Sequence, residues 1–463
     1  REARSSGEAA PVIRSCVGRL LQWRAMMHWM TQNDLLRRLP QERLSLLREL
    51  GNLADEGGVS LYLVGGVVRD LLLKRENWDL DLTVEGDGIA FARLVADRYG
   101  AGLAVFERFA TARLVLPNGL KMDIATTRRE SYVKPAALPD VTPASLQEDL
   151  YRRDFTINAM AIQLNPATFG ELHDPYEGQR DLRAKTIRVL HEGSFIDDPT
   201  RIFRAIRFTQ RFGFSLEPST RHLLEEAAAT KLIQQLSGPR LCNEILLLLG
   251  ERDPRKPIKS LVLLRLLRFL HPRLRYTKKG ERVVDVLPRA LAWWKKQCPD
   301  HVVERPLVCL MALLSQAGPA VLRSVIQRLQ LSSLQSKAVE RAGRKTDQLV
   351  QVLVGTKDMR PARVYRLLAG LSDDAIVLLV AKGLAMRKGG GVHRLTRRLS
   401  RFLKHDRRAT TILRGEDLKR LGLKPGPQFK KILDRLLDAR LNGHVRTESD
   451  EWAFVHRVAQ QPG

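Results

Sequence analysis

The chain is poor in cysteine and in aromatic residues. Four cysteines, Cys16, Cys242, Cys298 and Cys309, stand among 463 residues. None forms a CxxC pair, so neither a zinc ribbon nor a disulfide framework is indicated, and a reducing, cytoplasmic setting without disulfides is expected. Aromatics make up only 6% of the chain while hydrophobic residues reach 44%, so the cores have to be built from Leu, Val, Ile and Ala. Apolar runs are short. Ala375 to Leu379 is among the longest, far below the ~18 residues of a membrane span, so no membrane partner is expected. Acidic residues are also short in supply. Asp and Glu number 51 against 78 Lys and Arg, a net charge of +27. A surplus of that size calls for a polyanionic partner, nucleic acid first.

The length suits roughly three to four domains. Residues 1–32 mix Arg with Glu2 and Glu8 and carry an early Pro11. They read as an extension without catalytic role rather than a transit peptide. Asn33 to Ala54 has a leucine-rich helical pattern. Leu61 to Val64 reads as a buried strand, followed by the Gly65-Gly66 turn and a helix from Val67 to Lys74. A strand around Asp79 and a helix from Ile89 to Tyr99 come next. Arg113 to Leu116 and Leu120 to Thr126 form a hairpin around Pro117-Asn118-Gly119. Arg128 to Pro143, with three prolines and no periodicity, is expected to be a mobile loop. From Thr200 to Leu441 nearly every segment is helical, with breaks near Gly238-Pro239, Asp253-Pro254, Lys279-Gly280 and Gly389-Gly390-Gly391. The fold class is therefore α+β: a mixed-sheet head over 33–182, a helical neck over 183–250, a helical body over 251–388 and a basic helical tail over 389–463.

The most informative motif is Asp79-Leu80-Asp81, nine residues after Gly65-Gly66-Val67-Val68-Arg69-Asp70. Side chains on a strand repeat their facing every two residues, so both carboxylates point the same way. Such a pair of hard oxygen ligands suits Mg²⁺ with substrate phosphates completing its shell. The bare backbone of the glycine turn suits a triphosphate. Arg69, at the start of the next helix, is a candidate to hold that triphosphate. Alone, Asp-x-Asp is a weak signal and marks a solvated strand; behind the glycine turn it becomes specific. Asp123 is either a third carboxylate or a plain surface acid. In Arg152-Arg153-Asp154-Phe155-Thr156-Ile157-Asn158-Ala159, Arg153 is expected to reach the nucleotide and Asp154 to orient it by a bidentate pair; Arg152 is expected to serve a structural ion pair.

Asp197-Asp198-Pro199-Thr200-Arg201 opens a helix, with Asp198 as its cap and Pro199 at the first position. Arg201, Arg204 and Arg207 recur every third residue on one side. An arginine row is usually a solvated face. Here the sharper reading is base recognition. Cytosine and adenine both present an amine donor beside a ring-nitrogen acceptor, whereas guanine and uracil do not. A carboxylate beside a guanidinium, Asp198 with Arg201, accepts the first two and leaves polar groups unpaired against the others, at ~1–3 kcal/mol each. His405-Asp406 lacks the further ligands of a metal phosphohydrolase and is set aside.

These motifs, in this order, resemble the class II tRNA nucleotidyltransferases, the CCA-adding enzymes, and the related bacterial poly(A) polymerases. The resemblance is specific from about Leu61 to Phe214. It implies a polymerase-β-like head followed by helical neck, body and tail. It implies Mg²⁺ on the catalytic Asp79 and Asp81, and a nucleotide-binding set of Gly65, Gly66, Arg69, Arg153, Asp154, Asn158, Asp198, Arg201, Arg204 and Arg207. The implied reaction is addition of CCA, or of the terminal A alone, to tRNA from CTP and ATP, with poly(A) tailing as the alternative. The family's base-reading motif often begins with Glu, where this chain has Asp197. A flexible loop ahead of the Arg-Arg-Asp motif, which the resemblance links to A addition, corresponds to Arg128 to Pro143 and speaks against a CC-only enzyme.

Overall fold

The computed structural model describes residues 35–459 except 78, 387–388 and 424, so the expected extension 1–32 lies outside the described residues. The chain divides into two compact units, one up to Gln235 and one from Leu236. The division falls inside the stretch expected to be a neck.

The first unit is built on a seven-stranded mixed sheet. Its strands are β1 (Ser60–Val64), β2 (Leu80–Glu85), β3 (Gly102–Phe106), β4 (Thr111–Val115), β5 (Lys121–Thr126), β8 (Ala161–Gln163) and β9 (Leu172–His173), in the order β3-β4-β5-β2-β1-β8-β9. Only β2 and β5 run parallel; every other pair is antiparallel. The hairpin around Pro117-Asn118-Gly119 is present, with Gly119 at φ 82. Helix α1 (Gln41–Glu56) lays Leu44, Leu47, Leu50 and Ala54 onto the unit's core. It is shorter than the periodicity predicts. Pro40 stands just before its first residue, and a proline cannot sit inside a helix without losing a hydrogen bond and clashing with the preceding turn. Two further helices flank the sheet: α2 (Gly66–Leu72) follows β1, and α3 (Gly88–Tyr99) follows β2 with Asp87 accepting from the amides of Ile89 and Ala90.

The segment 128–143 corrects an expectation. It is a two-stranded antiparallel ribbon, β6 (Arg128–Ser131) with β7 (Asp140–Pro143), not a structureless loop. Its strands are too short to show a period. Pro135 and Pro139 lie in the connection and Pro143 at the strand end, where a missing N–H is tolerated. Side chains hold the ribbon down. Arg152 Nη1 donates to Glu130 at 2.8 Å, Arg129 pairs with Glu148, and Tyr132 Oη donates to Glu130 at 2.9 Å. Glu148 belongs to α4 (Leu146–Tyr151), which Ser145 opens with a capping box.

Past the sheet, α5 (Gly178–Ala184) and α6 (Ser194–Asp197) lead to α7 (Thr200–Phe212). The two-residue strands β10 (Thr186–Ile187) and β11 (Ser215–Leu216) pair across α7, and α8 (Pro218–Ala229) follows. Among its described residues the second unit has helices joined by turns and loops and no strands. Its centre is α9 (Asp373–Ala385), in which Ala375 to Ala381 are all buried; that accounts for one of the chain's longer apolar runs. The basic stretch after Gly389 is partly structural. Arg394 and Arg398 of the helix Gly389–Lys404 donate to the carbonyls of Leu353, Val354, Thr356 and Lys357, the open C-terminal end of the helix Ser333–Gly355. Arg397, Lys404 and Arg408 stay exposed.

Gly51 is where α1 comes hard against the backbone just past β8. A Cβ there would lie 1.9 Å from the carbonyl oxygen of Leu164. Helix propensity alone favours Gly51→Ala by about 1 kcal/mol. We expect instead a net loss of ~1–3 kcal/mol from overpacking against fixed backbone, read as a lower midpoint in thermal or urea unfolding.

Candidate active site

Strand β2 buries Leu80, Leu82 and Val84 and turns Asp81 to solvent, with Asp79 exposed one step before the strand. The alternation thus places both acids on one accessible face. Asp81 stands in register with Asp123 of the parallel neighbour β5. Asp123 is held bidentately by Arg113, at 2.7 and 2.8 Å. The Asp81 carboxyl is pushed up to about 6, first by the protein mass around it, then by the charges of Asp123 and Asp79, against an opposing pull from Arg153. Its edge is open to solvent although its surroundings are crowded. Crowded like charges on an accessible face suit a divalent cation, and the donors are the hard oxygens that Mg²⁺ takes. Among the described residues no group of three or more His, Cys, Asp or Glu is arranged to hold an ion. A cation here would take the rest of its shell from water and substrate.

Behind that face runs a buried polar relay. Asn77 Oδ1 accepts from the amide of Asp79 at 3.2 Å, and Asn77 Nδ2 donates to Asp70 at 2.8 Å. Asp70 is forked by Arg69 at 3.0 and 2.8 Å. Arg69 Nη1 donates to Asn158 at 2.5 Å, and Asn158 Nδ2 donates to Asp154 at 2.8 Å. Asp154 then accepts from Arg204, at 2.7 Å from Nε and 2.6 Å from Nη2. Asp154 is held well below the usual carboxylate range. Arg204 lowers it most and the Asn158 bond adds to that, together outweighing the largest single influence, burial. The relay joins three sequence motifs: the glycine turn, the Arg-Arg-Asp segment and the arginine helix.

Two expectations change here. The arginine that pairs with Asp154 is Arg204, fifty residues on, with Nε and Nη2 both on Oδ2, and not Arg153; Arg153 Nη2 donates to Asp149 at 2.9 Å instead. Arg153 is already engaged by Asp149 on the preceding helix, which leaves Asp154 to the arginine of α7. Arg69, expected at a triphosphate, is 4% exposed, with its guanidinium on Asp70 and Asn158 and 4.6 Å from the Phe212 ring centroid. Arg152 does serve a structural pair, with Asp149 and Glu130.

Gly65 takes φ 77, and a Cβ on it would lie 3.0 Å from Arg153 Nη1, so the turn and Arg153 close on each other; Gly66 opens α2. At α7, Asp198 Oδ1 accepts from the amide of Thr200 at 3.0 Å and from its hydroxyl at 2.6 Å, the capping role the sequence implies. Arg201 is buried. It donates to Ser194 Oγ and to the Arg152 carbonyl, both at 2.6 Å. These use two of its five N–H donors. Arg207 is buried 4.9 Å from the Phe208 ring centroid. The ribbon reaches this end too. The amide of Ala136 donates to the Asp197 carbonyl at 3.3 Å, and Tyr132 lies within the fields of Arg201 and Asp198. Sequence reasoning missed Asn77, Asp149, Glu130 and Tyr132. Asn77 lies between the two quoted motifs. Asp149 pairs with Arg152 and Arg153 three and four residues on, a helical spacing that local reading could have found, whereas Glu130 meets Arg152 22 residues away and Tyr132 joins Glu130 from the segment read as a loop.

Two family models match. One, described as the poly A polymerase head domain, covers residues 61–188; the other, a probable RNA- and SrmB-binding site of polymerase A, covers 213–277. An A-adding tRNA nucleotidyltransferase of Geobacter sulfurreducens is 40% identical over 91% of this chain, which spans 48% of that protein. Its counterpart from Halalkalibacterium halodurans is 33% identical, with 90% of this chain and 93% of that protein covered. This chain belongs to the tRNA nucleotidyltransferases. Among solved structures, an apo form of a CCA-adding enzyme matches with a TM-score of 0.76 at 36% identity over 92% of this chain and 97% of that one. A Thermotoga maritima CCA-adding enzyme complexed with tRNA matches at 0.71 and 33%, covering 92% and 98%. The head of a nucleotidyltransferase and the α+β class with helical continuation are therefore as the motifs imply.

In this nucleotidyltransferase head the Asp81 carboxyl is costly to ionise. A group whose folded pKa is raised destabilises the fold once pH exceeds its unfolded value near 4, and fully so above about 6. We expect Asp81→Asn to raise the unfolding temperature of the metal-free protein at pH 7.5 and to leave it unchanged at pH 4, measured in EDTA.

Proposed function

We propose that the protein is a Mg²⁺-dependent enzyme of the cytoplasm that adds the terminal A to tRNA 3′ ends from ATP. The observation that carries this reading is the exposed Asp79/Asp81 pair on β2, set beside the Gly65 turn and Arg153 and backed by the relay to α7. A-adding relatives match at 40%, 33% and 38% identity over 91%, 90% and 69% of the chain, which supports A addition in particular. The chain spans about half of the Geobacter relative, and 38% of the one from Aquifex aeolicus. Complete CCA addition is the second reading, favoured by likeness at 32–33% identity and TM-scores of 0.74 and 0.73 to CCA-adding enzyme complexes with CTP and with ATP. Poly(A) tailing is the third.

Asp79 and Asp81 would hold the cation, whose chemistry when bound is to neutralise the triphosphate and make the RNA 3′-hydroxyl a better nucleophile. The backbone of Gly65 and Gly66 and the Arg153 guanidinium bind the phosphates. Asp198 and Arg201 meet the amine and ring nitrogen of the base, and Arg204 and Arg207 hold this end of the site in shape. Arg69, Asp154 and Asn158 act from behind as positioning residues. With no nucleic-acid template, the base is selected by which polar groups stay unpaired.

Supplying tRNAs that end before CCA, after C and after CC, with ATP or CTP separately, tests the reading. A single A on the CC-ended tRNA and nothing from CTP is expected. Incorporation of both nucleotides assigns full CCA addition, and a long tail from ATP alone assigns poly(A) synthesis. Asp79→Ala or Asp81→Ala should lower transfer by about a thousandfold or more, the several kcal/mol that a metal site supplies; unchanged transfer in both variants would overturn the mechanism.

A further inference from the structure

An aromatic cluster borders the site and none of the nucleotide contacts above uses it. Tyr151, the last residue of α4, lies 5.6 Å from Tyr176 and 5.4 Å from His191 between ring centroids, with interplanar angles of 44° and 36°. Two of the chain's seven tyrosines and a histidine thus gather at one point. Tyr176 is anchored: its hydroxyl donates to the Gln147 carbonyl at 2.9 Å, and its ring packs on the cluster of Tyr62, Val64 and Leu150 beneath β1. Tyr151 is not sunk in that core. It is 45% exposed, so one ring of the cluster is offered to solvent on a rigid base.

The cluster is tied to the reaction site on both flanks. Tyr151 precedes Arg152, whose carbonyl accepts from Arg201, and Arg153, which acts on Asp81. His191 lies 4.0 Å from Asp197 and in the field of Arg201. Burial, then that arginine, pushes the imidazole below its ordinary value, so the ring is neutral at physiological pH and can stack without carrying charge.

We propose that Tyr151, supported by His191 and Tyr176, is a stacking platform for the unpaired 3′-terminal bases of the RNA acceptor. This rests on the nucleotidyl-transfer reading above. Every base has a π-face, so stacking holds an RNA end regardless of its sequence, whereas hydrogen-bond readout would restrict it. An enzyme that must take many tRNAs by their shared single-stranded end needs a contact of that kind. The proximity of Arg153 and the chain's strong positive charge suit the accompanying phosphates. Tyr151 is thus a positioning residue for the acceptor and not for the incoming nucleotide.

The test compares full-length protein with Tyr151→Ala, Tyr151→Phe and Tyr151→Trp, against a tRNA ending in CC and the same tRNA trimmed to a flush acceptor helix. Binding is followed by fluorescence anisotropy and transfer by steady-state kinetics, with unfolding curves to check that the variants are folded. We expect Tyr151→Ala to weaken binding of the CC-ended tRNA by about 5- to 150-fold. Binding of the trimmed tRNA, the KM for ATP and kcat at saturating tRNA should stay as in the unaltered protein, and Phe or Trp should restore binding. Equal weakening on both RNAs, no weakening, or failure of Phe to rescue would overturn the platform. Absence of transfer by the unaltered protein would instead strike the nucleotidyl-transfer reading, and the binding comparison would still decide the platform.

Discussion

The site depends on one buried connection, the Asp154 carboxylate between Asn158 and Arg204. Each of these groups is costly to remove from water alone. Together they satisfy one another, and through Arg69 and Asp70 they bind the first turn of α2 to the start of β2. The price of a buried charge is met by close geometry, and the reward is register: the acids of β2, the glycine turn and the arginine helix are fixed in one frame. Partly satisfied, such a network is worse than an apolar core, so its parts stand or fall together.

This division explains why the chain carries so many arginines and exposes so few of them at the site. Arg69, Arg201 and Arg207 are buried, and Arg152, Arg153 and Arg204 are largely enclosed. Their planar forks hold carbonyls and carboxylates in place. The exposed acids are Asp79, just before β2, and Asp81 on it, with Arg113 exposed nearby on Asp123. Under the proposed function, a cationic framework beside exposed acids would suit a triphosphate and the cation it brings. The second unit repeats the pattern, with Arg394 and Arg398 closing a helix end while Arg397, Lys404 and Arg408 face solvent.

Much of this was legible in the sequence where a short period governs it. The two-residue period of β2 gives the shared facing of Asp79 and Asp81, and the Asp-Pro-Thr signal gives the start of α7. What the sequence hid is pairing at a distance. Nothing local tells Asp154 to choose Arg204 over Arg153, or tells Glu130 that Arg152 will anchor a ribbon whose connection holds two prolines. The tail shows the same limit: the sequence gives a basic helical segment, yet two of its arginines close the end of a helix forty or more residues earlier, a role set by packing. Helix α1 was read too long because leucine periodicity outweighed one proline.

The most direct test is crystallography of the protein with a non-hydrolysable ATP analogue and Mn²⁺, using the anomalous signal of the metal. The account predicts a peak shared by the carboxylates of Asp79 and Asp81 and the triphosphate, with the Asp154–Arg204 pair intact behind it. A triphosphate bound away from these two acids, or a metal held without them, would contradict it.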